Sequence, residues 1–358
     1  MDKINKVIFA LPNMASGGAE RVVAILANQI VSKDIDVEIW LYYGKILHYN
    51  LDSRIGVKCL QMSNSSIFKR TLILRRLLNV EKKKYKLVFV PFLSSVLNIS
   101  IFANLTVGIP LVACERNNPY LKGMGYFRKL INELPFMLAD HCVFQTQDAR
   151  EYYSRVRNKR CSILVNPVSP SSIYWNGIVD PSKLISVCRL HKQKNLYMTL
   201  DVISILKKKY KDVHVDIYGD GELRDVIELE IKSRDLIGNV SLKGVSKDIN
   251  SLLAKSSIFI STSDYEGISN SMLEAMSVGM PLVCTDCPIG GAAYMLKNGA
   301  GVLTPVRDAV TFAKAVSDLL DNASHAVEIG LKAKETIKLY TPEVISNKWL
   351  SIFNSLIK

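Results

Sequence analysis

Two carboxylates, Glu266 and Glu274, punctuate the run Ser263-Asp-Tyr-Glu-Gly-Ile-Ser-Asn-Ser-Met-Leu-Glu-Ala-Met276. The strand-like residues 257–262 before it end in a polar turn, and the residues after it open a helix carrying the second carboxylate. Glu266 is then expected at the mouth of a strand, beside the first amides of a helix. Anions bind at such an end because those amides lack partners and the helix dipole is positive there. A carboxylate repels an anion, so beside one its use would be to accept hydrogen bonds from sugar hydroxyls on a phosphorylated ligand. A loop Glu and a solvent-facing helix Glu would share this spacing, and the pair alone leaves both readings open.

Further constellations bear on phosphate chemistry. Gly17-Gly18 stand between a strand at 6–11 and a long helix. Glycines there let backbone approach a phosphate with no side chain in the way, although a plain strand-to-helix turn would look the same. Arg189 and Lys194 follow a strand at 184–188, with Lys194 opening a helix. They could hold a diphosphate, Arg through a bidentate fork and Lys as a point charge, or be solvated cations. Gly219-Asp-Gly221 also follows a strand. Neither glycine pair completes the G-x-G-x-x-G of a dinucleotide site, which argues against a nicotinamide dehydrogenase.

Such residues need a scaffold that gathers strand ends. Strands are predicted at 6–11, 36–41, 87–91, 110–114, 141–144 and 161–165, then at 184–188, 213–218, 239–243, 257–262, 281–285 and 301–303. Helical patterns cover 19–32, 67–83, 94–105, 195–209, 222–234 and 270–278. Strands apolar on both faces that alternate with helices form parallel sheets covered on both sides. Two such series give an α/β chain of two doubly wound domains, and 358 residues is a length that splits in this way. The Pro/Ser-rich Asn166-Pro-Val-Ser-Pro-Ser-Ser172 suits a linker. The domains are therefore set at 1–165 and 166–340, followed by an amphipathic helix over 341–358 whose Pro342 takes a tolerated first-turn position. Ligands of such sheets bind at the carboxyl ends of strands, so the two domains are expected to share one cleft.

Composition is ordinary for a globular chain, 48% hydrophobic and 22% charged. Charge is uneven. Residues 1–165 carry 24 Lys+Arg against 12 Asp+Glu, a net of +12, whereas residues 166–358 carry 22 against 21, a net of +1. The N-terminal half should face something anionic: nucleic acid, a phosphorylated substrate or a membrane surface. A nucleic-acid reader is disfavoured, since no aromatic-interleaved basic strand or reading helix is present. Lys69, Arg76 and Lys83 recur every seven residues, stepping about 10 Å each time along one side of a helix. With Phe68, Leu72, Leu77 and Leu78 beside them they suit a membrane interface or a lipid diphosphate; a solvated helix face has the same pattern. The uncharged stretch from Leu87 to Cys114 is broken by Pro91, Gly108 and Pro110, and reads as buried strand, helix and strand rather than a membrane span. Most of the seven cysteines sit in apolar runs as small hydrophobes. Cys284-Thr-Asp-Cys287 lacks the second pair or the histidines of a zinc site. The odd cysteine count, without a signal-peptide h-region, suits a reducing cytosol.

Gly17-Gly-Ala-Glu-Arg21, Arg189-x4-Lys194, Gly219-Asp-Gly221, Glu266-x7-Glu274 and Thr285-Asp-Cys-Pro-x-Gly-Gly291 occur in one order. It is the order of the retaining glycosyltransferases of family 4, which the chain resembles over nearly its whole length. Glu115-Arg-Asn-Asn-Pro119 and Phe144-Gln-Thr146 resemble members that build bacterial lipid-linked oligosaccharides, O-antigens and capsules. The resemblance implies a GT-B fold of two Rossmann-like domains, the C-terminal one holding most of the nucleotide sugar and the N-terminal one the acceptor. Carried over by position, Arg189 and Lys194 bind the donor diphosphate and stabilise the departing nucleoside diphosphate. Glu266 bonds sugar hydroxyls, the amides of Gly267, Ile268 and Ser269 lie near phosphate and hexose, and Glu274 bonds the ribose. Gly17 and Gly18 close on the donor, with Gly219 and Gly221 also on the donor side, and the C-terminal helix crosses back to the N-terminal domain.

Asp34-Ile-Asp36 matches the Asp-x-Asp of metal-dependent glycosyltransferases in letters, but it borders a buried strand; no metal and no other cofactor is expected. One departure from the family concerns a His that many members place after an N-terminal strand, near the reacting sugar. Here that place reads Glu115-Arg116-Asn117, and His48, His141, His191, His214 and His325 are not obvious substitutes. Glu115, Arg116 and Asn117, with Lys69, Arg76 and Lys83, are the acceptor-side candidates. The expectation is a peripheral enzyme of the cytoplasmic membrane face, moving a hexose or N-acetylhexosamine from a UDP-sugar to a lipid-linked or polysaccharide acceptor. A nucleotide-sugar epimerase, turning over without acceptor, or a phosphorylase, needing inorganic phosphate, is the alternative on the same fold.

Overall fold

The computed structural model describes residues 4–15, 17–44, 47–116, 118–122, 126–156 and 160–357. The chain forms two compact units, Met1–Pro167 with Pro342–Lys358, and Val168–Thr341.

In the first unit, strands β1 (Lys6–Leu11), β2 (Asp36–Leu41), β3 (Gly56–Cys59), β4 (Leu87–Pro91), β5 (Val112–Cys114), β6 (His141–Phe144) and β7 (Cys161–Ile163) are all parallel. Between them run helices α1 (Gly18–Val31), α2 (Ile67–Lys82), α3 (Ser94–Asn104), α4 (Tyr126–Leu138) and α5 (Gln147–Tyr152). The strand order is β3-β2-β1-β4 and β5-β6-β7, linked where Phe89 N–H donates to Pro110 O at 2.9 Å. β1 and β4 are buried along their whole length, as strands with cover on both faces must be. Right-handed crossovers sort the helices by direction of travel. α1 leads one way across the sheet and lies on one face; α2, α3 and α4 lead the other way and share the opposite face. α3 packs against both α2 and α4, while α1 packs against the C-terminal helix Pro342–Leu356. Trp349 and Phe353 of that helix are fully buried.

Two elements depart from the expected pattern. β3 is an edge strand with alternating exposure, so its Gly-Val-Lys-Cys lacks the apolar run of a strand covered on both faces. α4 includes Pro135, a residue that cannot donate to the helix ladder and argues against a helix. Residues 87–114 form β4, α3 and β5, and among the described residues no helix is long and apolar enough to cross a membrane.

The second unit holds a parallel sheet of β8 (Leu184–Val187), β9 (Val215–Tyr218), β10 (Val240–Gly244), β11 (Phe259–Ser261), β12 (Leu282–Thr285) and β13 (Val302–Thr304). Its helices are α6 (Leu196–Leu206), α7 (Arg224–Ser233), α8 (Ile249–Lys255), α9 (Asn270–Val278), α10 (Gly291–Leu296), α11 (Ala309–Asp321) and α12 (Ala323–Ile337). Leu184, Ile203, Val215, Ile217 and Phe312 belong to one buried core. The order β10-β9-β8-β11-β12-β13 reverses between β8 and β11. The chain leaves these two neighbours in opposite directions, and their carboxyl ends frame the crevice where ligands of such sheets bind.

Candidate active site

Lys194 and Glu266 reach the reversal point from its two sides. After β8 the chain makes a short turn over Lys192–Lys194, at whose start His191 Nδ1 accepts from Gln193 N–H at 3.1 Å. Asn195 then takes the left-handed conformation, φ 43°, and its side chain caps α6 by accepting from Met198 N–H at 3.2 Å. Asn tolerates this region better than most residues and is a good cap. After β11 the chain runs through Thr262 to Ser269, which caps α9. Four bonds lace the two loops together. Thr262 Oγ1 donates to Lys194 O at 3.0 Å, and Asp264 N–H to Gln193 O at 2.9 Å. The Gln193 side-chain amide donates to Tyr265 O at 2.8 Å, and that of Asn195 to Asp264 Oδ1 at 2.8 Å.

The laced loops hold Lys194 Nζ against Glu266 Oε2, with the two side chains only 14% and 21% exposed. Burial works against the Lys194 charge, but Glu266 beside it outweighs that effect and leaves the ammonium pKa raised. Lys194 is thus firmly cationic at neutral pH. Three thiols lie within electrostatic range of this pair. Burial pushes Cys188 and Cys284 up and takes Cys287 up to about 12. Protonated thiols are poor nucleophiles and poor metal ligands.

A third strand end supports the same place. Thr285 Oγ1 donates to Ser263 O at 2.6 Å. A Cβ on Gly291 would lie 1.8 Å from Gly267 O, so only glycine lets the loop after β12 lie on the backbone behind Glu266. Just before it, the buried Ile289 is held at φ 80°, where a β-branched residue is strained. Glu274, on α9, is 8% exposed.

Of the donor-side candidates, Lys194, Glu266, Gly267, Ile268 and Ser269 come together at the β8–β11 reversal. Arg189 is exposed on the loop that leads to Lys194 and has no ion pair among the described residues. Gly219 and Gly221 lie against that loop from behind: a Cβ would fall 1.9 Å from Cys188 O or 2.5 Å from Leu190 O. Their visible work is to seat the loop carrying Arg189. In the first unit, Gly17 caps α1 and Gly18 begins it, with the Glu20 carboxylate folded back over Gly17 (a Cβ there would sit 1.9 Å from Glu20 Oε2).

The acceptor-side candidates fare differently. Glu115 is buried and accepts from Tyr153 O–H and from Arg116 N–H, the latter at 3.1 Å. The Arg116 guanidinium lies 4.3 Å from the Phe92 ring centre and 5.6 Å from that of Trp349, and burial lowers its pKa. Their visible partners belong to the unit's own core, and Arg116 ties the end of β5 to the C-terminal helix. Asn117 lies outside the described residues. Lys69, Arg76 and Lys83 are exposed along α2 and just past its end. His141 is buried beside Ser162 Oγ at 2.9 Å and pushed down to about 4 by that burial. Four supporting residues escape the motif: Gln193, Asn195, Asp264 and Arg307, whose guanidinium pairs with Asp264 at 2.8 Å. Asn195 and Asp264 carried one signal, a turn-forming type close to Lys194 and Glu266; Gln193 and Arg307 carried none.

Known proteins resemble the chain in sequence and in fold. The family model for glycosyl transferases group 1 matches residues 176–336. In Campylobacter jejuni, the GalNAc-alpha-(1->4)-GalNAc-alpha-(1->3)-diNAcBac-PP-undecaprenol alpha-1,4-N-acetyl-D-galactosaminyltransferase is 25% identical over 97% of this chain and 98% of its own length. From the same organism, N-acetylgalactosamine-N,N'-diacetylbacillosaminyl-diphospho-undecaprenol 4-alpha-N-acetylgalactosaminyltransferase is 27% identical over 95% of this chain and 96% of its own. A Staphylococcus aureus TarM mutant, crystallised with fondaparinux, alpha-GlcNAc-glycerol and UDP, superposes with TM-score 0.81 at 16% identity, covering 98% of this chain and all of that one. The chain therefore has the GT-B fold, and its residues 176–336 match the family model of the group 1 glycosyl transferases.

Proposed function

We propose that the chain is a retaining glycosyltransferase of family 4, moving a hexose or N-acetylhexosamine from a UDP-sugar to a lipid-linked or surface-polysaccharide acceptor. It would act as a peripheral protein on the cytoplasmic membrane face, where such an acceptor is anchored. The observation that carries this is the Lys194–Glu266 pair beside the N-terminus of α9, at the strand reversal of a group 1 domain. UDP in the TarM complex and the diphospho-undecaprenol substrates named for the two Campylobacter relatives support it.

Arg189 and Lys194 take the diphosphate, and the amides of Gly267, Ile268 and Ser269 add their dipoles. Glu266 accepts from sugar hydroxyls and Glu274 from the ribose. As the sugar C1–O bond breaks toward an oxocarbenium-like state, negative charge grows on the diphosphate. Groups fixed in advance stabilise that charge more than the ground state, which is what lowers the barrier. The departing phosphate oxygen accepts the acceptor hydroxyl's proton while the acceptor oxygen bonds C1 on the same face, so the anomeric configuration is kept. No step calls for a divalent cation, and transfer should survive EDTA.

The test is incubation of the full chain with a panel of UDP-sugars and a lipid-diphosphate glycan, reading UDP release and product mass. A product one sugar heavier is expected with one donor. A folded chain that releases no UDP with any donor contradicts the assignment.

A further inference from the structure

The helices α2, α3 and α4 form one contiguous layer on a single face of the first unit's sheet, and its outer surface has an unusual balance. α2 has one carboxylate, Glu81, buried against Lys6 at 2.9 Å. α4 has one, Glu133, fully buried against Arg155 at 3.0 Å. α3 has none. Among the described residues, every exposed charge on the three helices is therefore positive: Lys69, Arg75, Arg76, Lys82 and Arg128.

Apolar side chains stand out of the same layer. On α4, Ile131, Leu134 and Leu138 are 66%, 41% and 41% exposed; their spacing of three and four puts them on one side of the helix. Phe102 of the neighbouring α3 is 48% exposed. A helix of a water-facing unit turns such a stripe inward. Single exposed hydrophobes are common, but a stripe on adjoining helices beside cations marks an interaction surface.

Resting on the peripheral-membrane reading above, we propose that this face docks on an anionic lipid bilayer. Ile131, Leu134, Leu138 and Phe102 enter the headgroup boundary, and the cations of α2 and the start of α4 lie on the lipid phosphates. Charge complementarity selects this partner. The cations are spread over helices and, among the described residues, form no ion pair, as suits the dispersed negative charge of a leaflet, and the aliphatic stripe suits acyl chains. Nucleic acid fits less well, since Ile and Leu offer bases no stacking platform.

Co-sedimentation of the full chain with phosphatidylcholine vesicles, with and without phosphatidylglycerol, tests this. Binding should require the anionic lipid and weaken with salt. Ile131→Asp with Leu134→Asp, and separately Phe102→Asp, should each weaken it by about tenfold or more. Their thermal midpoint and UDP release with a water-soluble acceptor should stay unchanged. Wild-type binding by both variants, or equal binding to neutral vesicles, overturns the proposal. So does tight RNA binding with no vesicle binding. A chain that binds vesicles through this face but transfers no sugar would sink the enzymatic reading alone.

Discussion

The exposed helices of the second unit carry many of their charges in pairs, such as Lys314–Asp318 and Lys332–Glu328 at 2.6 Å and Arg234–Glu230 at 2.9 Å. The α2–α3–α4 layer of the first unit exposes cations with no carboxylate between them, and aliphatic side chains alongside. Paired surface charges one turn apart are worth only tenths of a kcal/mol and belong to faces made for water. Unpaired cations beside exposed aliphatics belong to a face made for a partner. The strand reversals differ in the same spirit. In the first unit a carboxylate of the chain, Glu20, already lies over the start of α1. In the second, the start of α9 has a Ser cap and no acidic residue in its first turn, and the nearby carboxylate, Glu266, is paired with Lys194. On the proposed reading, an anionic ligand takes the second unit's reversal, and an extended anionic surface the first unit's helices.

The largest effect should come from the second unit's pair. Lys194→Ala and Glu266→Ala should each lower kcat/KM by about 10³-fold, near 4 kcal/mol of transition-state stabilisation, with the far-UV spectrum retained. Loss of less than tenfold in Lys194→Ala would place the diphosphate elsewhere, and in Glu266→Ala the transferred sugar.

Acid should strike the first unit through His141. Its folded pKa of about 4 lies below the ordinary 6.5, so the unfolded chain takes up a proton first as pH falls. The stability it contributes is fully present above about 6.5 and declines toward pH 4, by about 3 kcal/mol. A His141→Gln variant should show a flatter loss of stability over that window in urea titrations; an unchanged slope would remove His141 as the cause.

Gly219→Ala should cost about 2 kcal/mol, because a Cβ 1.9 Å from Cys188 O overpacks the loop and φ 133° disfavours a side chain. A lowered thermal midpoint would support the seating role, and an unaltered one would return Gly219 to ligand contact. The smallest effect belongs to the paired surface charges. Lys314→Ala and Lys332→Ala should change stability by less than about 0.5 kcal/mol and leave vesicle binding within about twofold. A clear loss of vesicle binding in either would erase the contrast between the units.

The fold was legible where burial writes itself into composition. β1 and β4 are apolar on both faces, and the uncharged run 87–114 resolved into β4, α3 and β5 because its prolines and glycine cut it at their edges. β3 was not, since an edge strand has no reason to be apolar, nor was α4, whose Pro135 lies inside the helix. At the site, Lys194 and Glu266 were legible because type and spacing survive in sequence. Their supports were not: the bond from Gln193 to Tyr265 O joins residues 72 positions apart, and only the fold brings those loops together. Glu115 and Arg116 show the converse, polar residues at a strand end whose visible partners lie in the core.

The central claim is that the nucleotide belongs to the second unit's strand reversal, and calorimetric titration of UDP into three proteins tests it most directly. Wild type should bind one UDP per chain, Lys194→Ala should bind at least about tenfold more weakly, and Arg76→Ala should match wild type. Full UDP affinity in Lys194→Ala, or its loss in Arg76→Ala instead, would contradict the account.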